Sequence, residues 1–276
     1  MSKHPGIPIL MYHALAEQRD PFASPLHLSP DMFRRQIEWL ASNRYQAITP
    51  DELPSKLSKN KDGDKFCLIS FDDGYHSLFV HAAPLLKKYG FAATLYLTAA
   101  ITGQNNFDAM QGVDPVTIPA GDRPLSWQEV KEMAANGWSV QSHSVSHADH
   151  SRLSSDQMLQ ELNESKRIIE QQTGQPVHHY AFPFGKYNAA ALKMVKEAGY
   201  KSAATVHSGL CSATGDPYRL PRLELNINDT MTGFINKIEK GFVSPKQKIR
   251  SSIRNILFKN PVVKDISKKI SGGHIN

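Results

Sequence analysis

Two carboxylates stand side by side in Leu68-Ile-Ser-Phe-Asp72-Asp73-Gly74, directly after an apolar run. At a strand end neighbouring side chains point in different directions. One Asp can then ligate a metal while the other faces a reacting centre, and Gly74 permits the tight turn between them. The plain alternative is a turn, for which Asp-Asp-Gly is a common sequence. A second candidate is Ser142-His143-Ser144-Val145-Ser146-His147. Histidines at i and i+4 on a helical turn face one side and can bind a single ion. Taken alone, they read equally well as satisfied histidines, with His150 nearby as a decoy. Beside an Asp pair on another strand end, they point to one Asp-His-His site. That set suits zinc or a similar divalent ion and leaves positions open for water and substrate. The third candidate, Tyr180-Ala-Phe-Pro183-Phe184-Gly185-Lys-Tyr187-Asn188, is a rigid corner whose backbone N–H groups can face a cleft. The plain reading of that segment is a strand-to-helix turn with Asn188 as its N-cap.

These residues need a frame, and the chain supplies one in which short apolar runs alternate with amphipathic segments. Ile7–Tyr12 reads as a strand, and Ser29-Pro30 then opens a helix with a capping hydroxyl and a proline at its first position. Thr49–Glu52 and Ser126–Glu129 have capping-box spacing. Strands are expected at Phe66–Phe71, Ala93–Leu97, Trp138–Gln141, Tyr180–Phe182, Ser202–Val206 and Leu220–Leu225. Helices are expected over about Ser77–Tyr89, Ser155–Gln172 and Asn188–Ala198, each followed by a glycine. Strand-then-helix repeated about seven times means a parallel α/β sheet with helices outside, either an open doubly wound sheet or a barrel. Both place a site at the C-terminal strand ends. The long Gly-, Asn- and Pro-containing segment Thr98–Leu125 is expected to form a wall or lid of that site.

Taken in order, the three motifs resemble the polysaccharide deacetylases of carbohydrate esterase family 4. That family carries Thr/Ser-Phe-Asp-Asp-Gly, a His-Ser/Thr-x-x-x-His pair and an Arg-x-Pro-aromatic-Gly corner. The resemblance covers about residues 7–225 and implies a distorted (β/α)7-type barrel, a divalent metal and hydrolysis of N-acetyl groups. It implies Asp73, His143 and His147 as metal ligands and Asp72 as base. Pro183, Phe184, Gly185 and Tyr187 would bind substrate, with the Phe184 N–H holding the oxyanion. Two positions depart from the pattern. Ala181 stands where the family has the Arg that orients the base, and Glu224-Leu225-Asn226 follows Leu223 where a late Leu-x-x-His supplies the acid. The early Leu10-Met11-Tyr12-His13 instead resembles the subgroup acting on poly-β-1,6-N-acetylglucosamine, in which an early Tyr-His supplies the acid. That places the acid at His13, with His207 as competitor. Zinc is the first expectation for the metal, ahead of nickel, cobalt or manganese. Two other readings share these residues: an O-acetyl esterase, and a non-catalytic glycan-binding module on a degenerate deacetylase fold.

The 276 residues carry a net charge of +6, unevenly spread. From Gly241 onward eight Lys or Arg face one acid, so this tail carries +7 and the first 240 residues carry −1. A near-neutral body argues against a nucleic-acid-binding face. Within the tail, Ile249, Ile253, Ile256 and Leu257 recur at helical spacing beside Arg250 and Arg254. Such a basic amphipathic helix either lies on an anionic membrane or packs on the barrel. The division expected is therefore a catalytic domain over 1–240 and a tail over 241–276. The tail suggests a lipid-linked substrate, such as a lipopolysaccharide core intermediate or a polyprenyl-linked glycan. Cys67 and Cys211 form no C-x-x-C pair and are expected as free buried thiols. With the N-terminal apolar run read as a strand and no long apolar stretch, the expected location is the cytoplasm, peripheral on the inner membrane face.

Overall fold

A computed structural model of the chain describes residues 6–17, 24–59 and 63–242. Its strands are β1 (Ile9–Tyr12), β2 (Gln46–Ala47), β3 (Phe66–Asp73), β4 (Ala93–Leu97), β5 (Trp138–Ser142), β6 (His179–Ala181), β7 (Ser202–Ala204) and β8 (Leu223–Glu224). Seven of them form one path in the order β7-β6-β5-β4-β3-β1-β8, with β2 paired to β3 off that path. All of these pairings are parallel. Residues 220–224 draw the two ends together, for Leu220 bridges Ala204 of β7 while Leu223 and Glu224 pair with Leu10 and Met11 of β1. The result is the distorted (β/α)7-type barrel, and this closure by a short, divided segment is its distortion.

Helices α1 (Pro30–Ser42), α2 (Leu53–Lys59), α3 (Ala83–Tyr89), α4 (Trp127–Ala135), α5 (Ser155–Thr173), α6 (Ala189–Glu197) and α7 (Met231–Lys240) join the strands. Ser29 caps α1 by accepting the Met32 N–H, and Ser126 with Glu129 closes a full capping box on α4. Alternate strand residues serve two cores. Leu10, Ile69, Phe71, Leu95 and Val140 face outward into the layer beneath the helices. Ile9, Leu68, Tyr96, Ala181, Ala204 and Leu220 face inward and fill the barrel. With the interior filled, a site of this architecture is expected at the C-terminal mouth.

Several elements differ from expectation. The helix expected over Ser77–Tyr89 is two pieces, a wide π turn (Leu78–Ala82) followed by α3, because Pro84 cannot donate to the preceding turn. Glu52 accepts the Thr49 N–H as expected, but α2 begins only at Leu53, with Pro54 in its first turn. Helix α7 was not anticipated; Thr230 caps its start and Gly241, at φ 78°, its end. Of the proposed basic tail, residues 243–276 lie outside the described residues. Cys67 and Cys211 are buried and unpaired. No helix of the described residues is long and apolar enough to cross a membrane.

Candidate active site

Strand β3 delivers both carboxylates to the barrel mouth. Strict alternation would send Asp72 inward and Asp73 outward. Asp73 instead takes φ 75°, and Gly74 follows at φ 109°, which returns the Asp73 side chain to the same cleft. Gly74 is required there, since a Cβ would stand 2.6 Å from Leu97 Cδ1. Left-handed backbone costs a non-glycine residue roughly 1–2 kcal/mol, and Asp tolerates it better than most. Ser144 (φ 75°), His147 (φ 62°) and Phe184 (φ 56°) adopt the same conformation, so four strained residues gather around one mouth.

The two histidines converge, but not by helical geometry. Residues 143–147 form a loop after β5, and the two positive φ angles fold it so that the imidazole centroids lie 5.0 Å apart. Glu161 on α5 holds this loop by accepting the Val145 and Ser146 N–H groups and the Ser146 hydroxyl. His143 Nδ1 donates to the Ala181 carbonyl at 2.8 Å, and His147 Nδ1 donates to the Gln111 carbonyl at 3.1 Å. A carbonyl can only accept, so both protons sit on Nδ1 and both Nε2 lone pairs face the cleft.

Each of those Nε2 atoms lies 3.5 Å from Asp73 Oδ1. That oxygen is buried and has no hydrogen-bond partner among the described residues. One donor atom from each residue lies within 4.8 Å of the others. Burial pushes the Asp73 carboxyl up to about 7, reinforced by the Asp72 charge and opposed by His13 and Arg222. Burial lowers His143 to about 3 and His147 to about 4, so both imidazoles are neutral and able to ligate at neutral pH. An orphaned carboxylate oxygen and two inward lone pairs, each held by its own carbonyl, fit a divalent ion.

Asp72 has a different environment. Arg222, fully buried just before β8, clamps it with two hydrogen bonds of 2.6 and 2.7 Å. The guanidinium is itself fixed by the Thr205 carbonyl at 3.0 Å and lies over the Tyr96 ring. Burial opposes ionisation of Asp72, but the Arg222 charge and its hydrogen bonds, with His143 and His13, outweigh it and hold the carboxyl down at about 2. His13 follows β1 and places Nε2 4.0 Å from Asp72 Oδ2. His207 does not line the cleft; its Nε2 lies 3.4 Å from the Tyr187 hydroxyl.

The cleft has a volume of about 470 Å³ and is lined by His13, Asp72, Asp73, His143, His147 and Phe184, among others. Phe184 is partly exposed, with its ring 4.4 Å from that of His147. Gly185 can have no Cβ, which would meet Val206 at 2.3 Å. Tyr187 does not reach the cleft and stacks on Phe182 beneath it. Pro183 is likewise buried outside the lining and shapes the turn. Asn188 caps α6 by accepting the Ala191 N–H. Gly112, Val113, Asp114 and Thr117 from the long segment 98–125 form one wall. It is tied to the histidine loop by the Gln111 N–H, which donates to the Ser146 carbonyl.

Sequence reasoning missed three residues that shape this site: Arg222, Glu161 and Glu224. The available signal for Arg222 was a lone cation inside the apolar run Leu220–Leu225. For Glu161 it was an acid on the face of α5 otherwise marked by Met158, Leu162 and Ile169.

A family model for polysaccharide deacetylase matches residues 59–203. The Bacillus subtilis protein YxkH is 30% identical over 221 residues, which are 80% of this chain and 71% of that protein. The Staphylococcus aureus poly-β-1,6-N-acetyl-D-glucosamine N-deacetylase is 26% identical over 205 residues, 71% of this chain and 67% of that enzyme. Among solved structures, the Streptococcus pyogenes deacetylase PplD, determined in complex with acetate, superposes with a TM-score of 0.73 at 28% identity. It covers 85% of this chain and 99% of its own. The chain belongs to the polysaccharide deacetylase family. It is an N-deacetylase of that family's type, and the family is metal-dependent.

Proposed function

We propose that this chain removes N-acetyl groups from N-acetylglucosamine units of a cell-surface glycan. Asp73 Oδ1, His143 Nε2 and His147 Nε2 hold a divalent ion, zinc by the preference of a nitrogen-rich, small-coordination donor set. The observation that carries the reading is the orphaned Asp73 Oδ1 placed between two inward-facing imidazole nitrogens at the floor of a sugar-sized cleft. The similarity to the staphylococcal enzyme supports the choice of sugar.

The bound ion supplies Lewis acidity to the acetyl carbonyl and to water. The protein supplies the rest. Asp72, ionised at any working pH by its Arg222 clamp, accepts the proton of the attacking water. A carboxylate offers more acceptor positions than the two that Arg222 occupies. The Phe184 N–H donates to the developing oxyanion, a contact worth roughly 3 kcal/mol. His13, beside Asp72 at the rim, donates a proton to the departing amine nitrogen, so that the C–N bond breaks to leave a neutral amine and acetate. No side chain becomes acylated, so the reaction shows no burst of covalent intermediate.

The test is acetate release from β-1,6- and β-1,4-linked N-acetylglucosamine oligomers by the native chain and by Asp72→Asn. Release by the native chain that falls at least ~10²-fold in the variant supports the reading. Equal release by both proteins would overturn it. A narrower substrate is a lipid-linked precursor at the inner membrane leaflet, such as a lipopolysaccharide core intermediate or a polyprenyl-linked glycan. The tail charge of +7 over residues 241–276 supports it, although residues 243–276 lie outside the described ones. Sedimentation with anionic vesicles tests this, and equal binding by full-length and tail-deleted protein would contradict it.

A further inference from the structure

Strand β8 carries a second functional side chain one step beyond the Arg222 clamp. Leu223 is buried in the outer core, so alternation turns Arg222 and Glu224 to the barrel's inner face. Arg222 reaches Asp72 from below the mouth. Glu224 pairs in register with Met11, and both residues line the cleft.

The Glu224 side chain is held in place. Asn226 Nδ2 donates to Glu224 Oε1 at 3.0 Å, and the buried Lys237 of α7 donates to the Glu224 carbonyl at 2.6 Å. The Lys237 charge does not neutralise the Glu224 carboxylate, because its ammonium also contacts both oxygens of Asp229, at 2.6 and 2.7 Å. Of the other cleft carboxylates, Asp72 is paired with Arg222 and Asp73 belongs to the metal site, while Asp114, on the wall formed by residues 98–125, accepts the Val116 N–H at a turn. Among the described residues lining the cleft, none is Lys or Arg. Glu224 is therefore a fixed negative charge on the sugar-binding wall, supported by an amide and without a cationic partner on that wall.

Resting on the deacetylase reading above, we infer that Glu224 is a specificity-determining residue that binds the ammonium of a glucosamine unit next to the acetylated unit being cleaved. The reaction itself generates this partner, because each deacetylation leaves an amine that is protonated below neutral pH. A carboxylate–ammonium hydrogen bond is roughly twice as strong as one to a neutral hydroxyl or acetamide. A partly deacetylated glycan is thus bound better than a fully acetylated one, and product units promote action on their neighbours.

Binding is measured by calorimetry with a β-1,6-linked glucosamine tetramer and the matching N-acetylglucosamine tetramer. Chelator is present throughout, so that acetyl groups remain in place. At about pH 6, where the sugar amines are charged, the native chain is expected to bind the glucosamine tetramer about tenfold more tightly. Glu224→Gln, which keeps the size and the amide-facing oxygen, should bind both tetramers alike. At about pH 9 the native chain should also lose its preference, because the amines are neutral. Equal binding of both tetramers by the native chain, or an undiminished preference in Glu224→Gln, overturns the inference. This readout needs no turnover, so failure of the deacetylase reading would show separately, as absence of acetate release by the metal-loaded native protein.

Discussion

His143 and His147 differ from His150 and His179 in one respect that burial and charge do not reveal. All four are buried, and burial lowers the pKa of each. In His150 both ring nitrogens are committed to the fold, Nδ1 to the Ala148 carbonyl and Nε2 to the Tyr180 hydroxyl. His179 has Nδ1 2.8 Å from Ser202 Oγ, and its Nε2, 3.3 Å from Asp51 Oδ1, lies outside the cleft and belongs to no metal-like cluster among the described residues. In His143 and His147 the Nδ1 proton is given to a carbonyl, and Nε2 is left facing the cleft and Asp73. A ligand histidine is thus recognised by a free nitrogen that converges with a second one on a shared carboxylate in the cleft, and a perturbed pKa alone does not separate the two kinds.

Substitution should separate them by orders of magnitude. His143→Ala or His147→Ala is expected to lose the metal and roughly 10³-fold or more in kcat, measured by metal content and acetate release. A variant that retained one equivalent of metal and native turnover would erase the distinction. His13→Gln should keep the metal and lose roughly 10²–10³-fold in kcat, measured by metal content and acetate release. Arg222→Met leaves Asp72 buried without its counter-charge. Stability should fall by roughly 3–5 kcal/mol in denaturant unfolding, and the acid limb of the pH–rate profile should move upward as Asp72 becomes easier to protonate.

The pH dependence of metal uptake sharpens the same comparison. Asp73, raised to about 7, must release a proton to ligate, whereas His143 and His147, lowered to about 3 and 4, are already neutral. Metal affinity should therefore be level above pH 7 and fall about tenfold per unit below it, with one proton released on binding, as titration in buffers of different ionisation enthalpy would show. In the metal-free protein the signs oppose each other. The raised Asp73 contributes stability at acid pH that is lost as pH rises through about 7. The depressed histidines cost stability as pH falls below their unfolded value of 6.5. The smallest effect belongs to His150→Phe, expected to cost about 1 kcal/mol in stability through loss of the hydrogen bond to the Tyr180 hydroxyl. Its metal content and turnover per folded molecule should stay within about threefold of native, and a metal-free His150→Phe protein would blur the two classes.

The parallel barrel was legible because apolar runs and caps recur with strand–helix spacing, and capping residues such as Ser29, Ser126 and Asn188 act as their chemistry suggests. The Asp-Asp and His-His pairs were legible as a cluster, and the structure brings Asp72, Asp73, His143, His147 and His13 to one mouth. The way they converge was not legible. Helical i, i+4 geometry was the expectation for the histidines, and a strained loop braced by Glu161 is what the fold uses. Side-chain periodicity could not anticipate the backbone reversal at Asp73 either. Arg222 was hidden because its partner lies 150 residues away, and the Ala181 position drew attention to where the family's arginine was missing. Tyr187 was read as a cleft residue from its place in the corner, but its ring packs on Phe182, and it is Phe182 and Phe184 that line the opening. The strand expected over Leu220–Leu225 is present, but in divided form: only Leu223 and Glu224 pair with β1, and Leu220 bridges β7 separately, a division that apolar patterning does not show.

The most direct test of the account is acetate release by the native chain after chelation and after one equivalent of zinc is restored, with bound metal quantified alongside. The account predicts one tightly bound ion, loss of turnover on its removal, recovery on its return, and no recovery in Asp73→Asn. Full turnover by protein shown to contain no metal would contradict it.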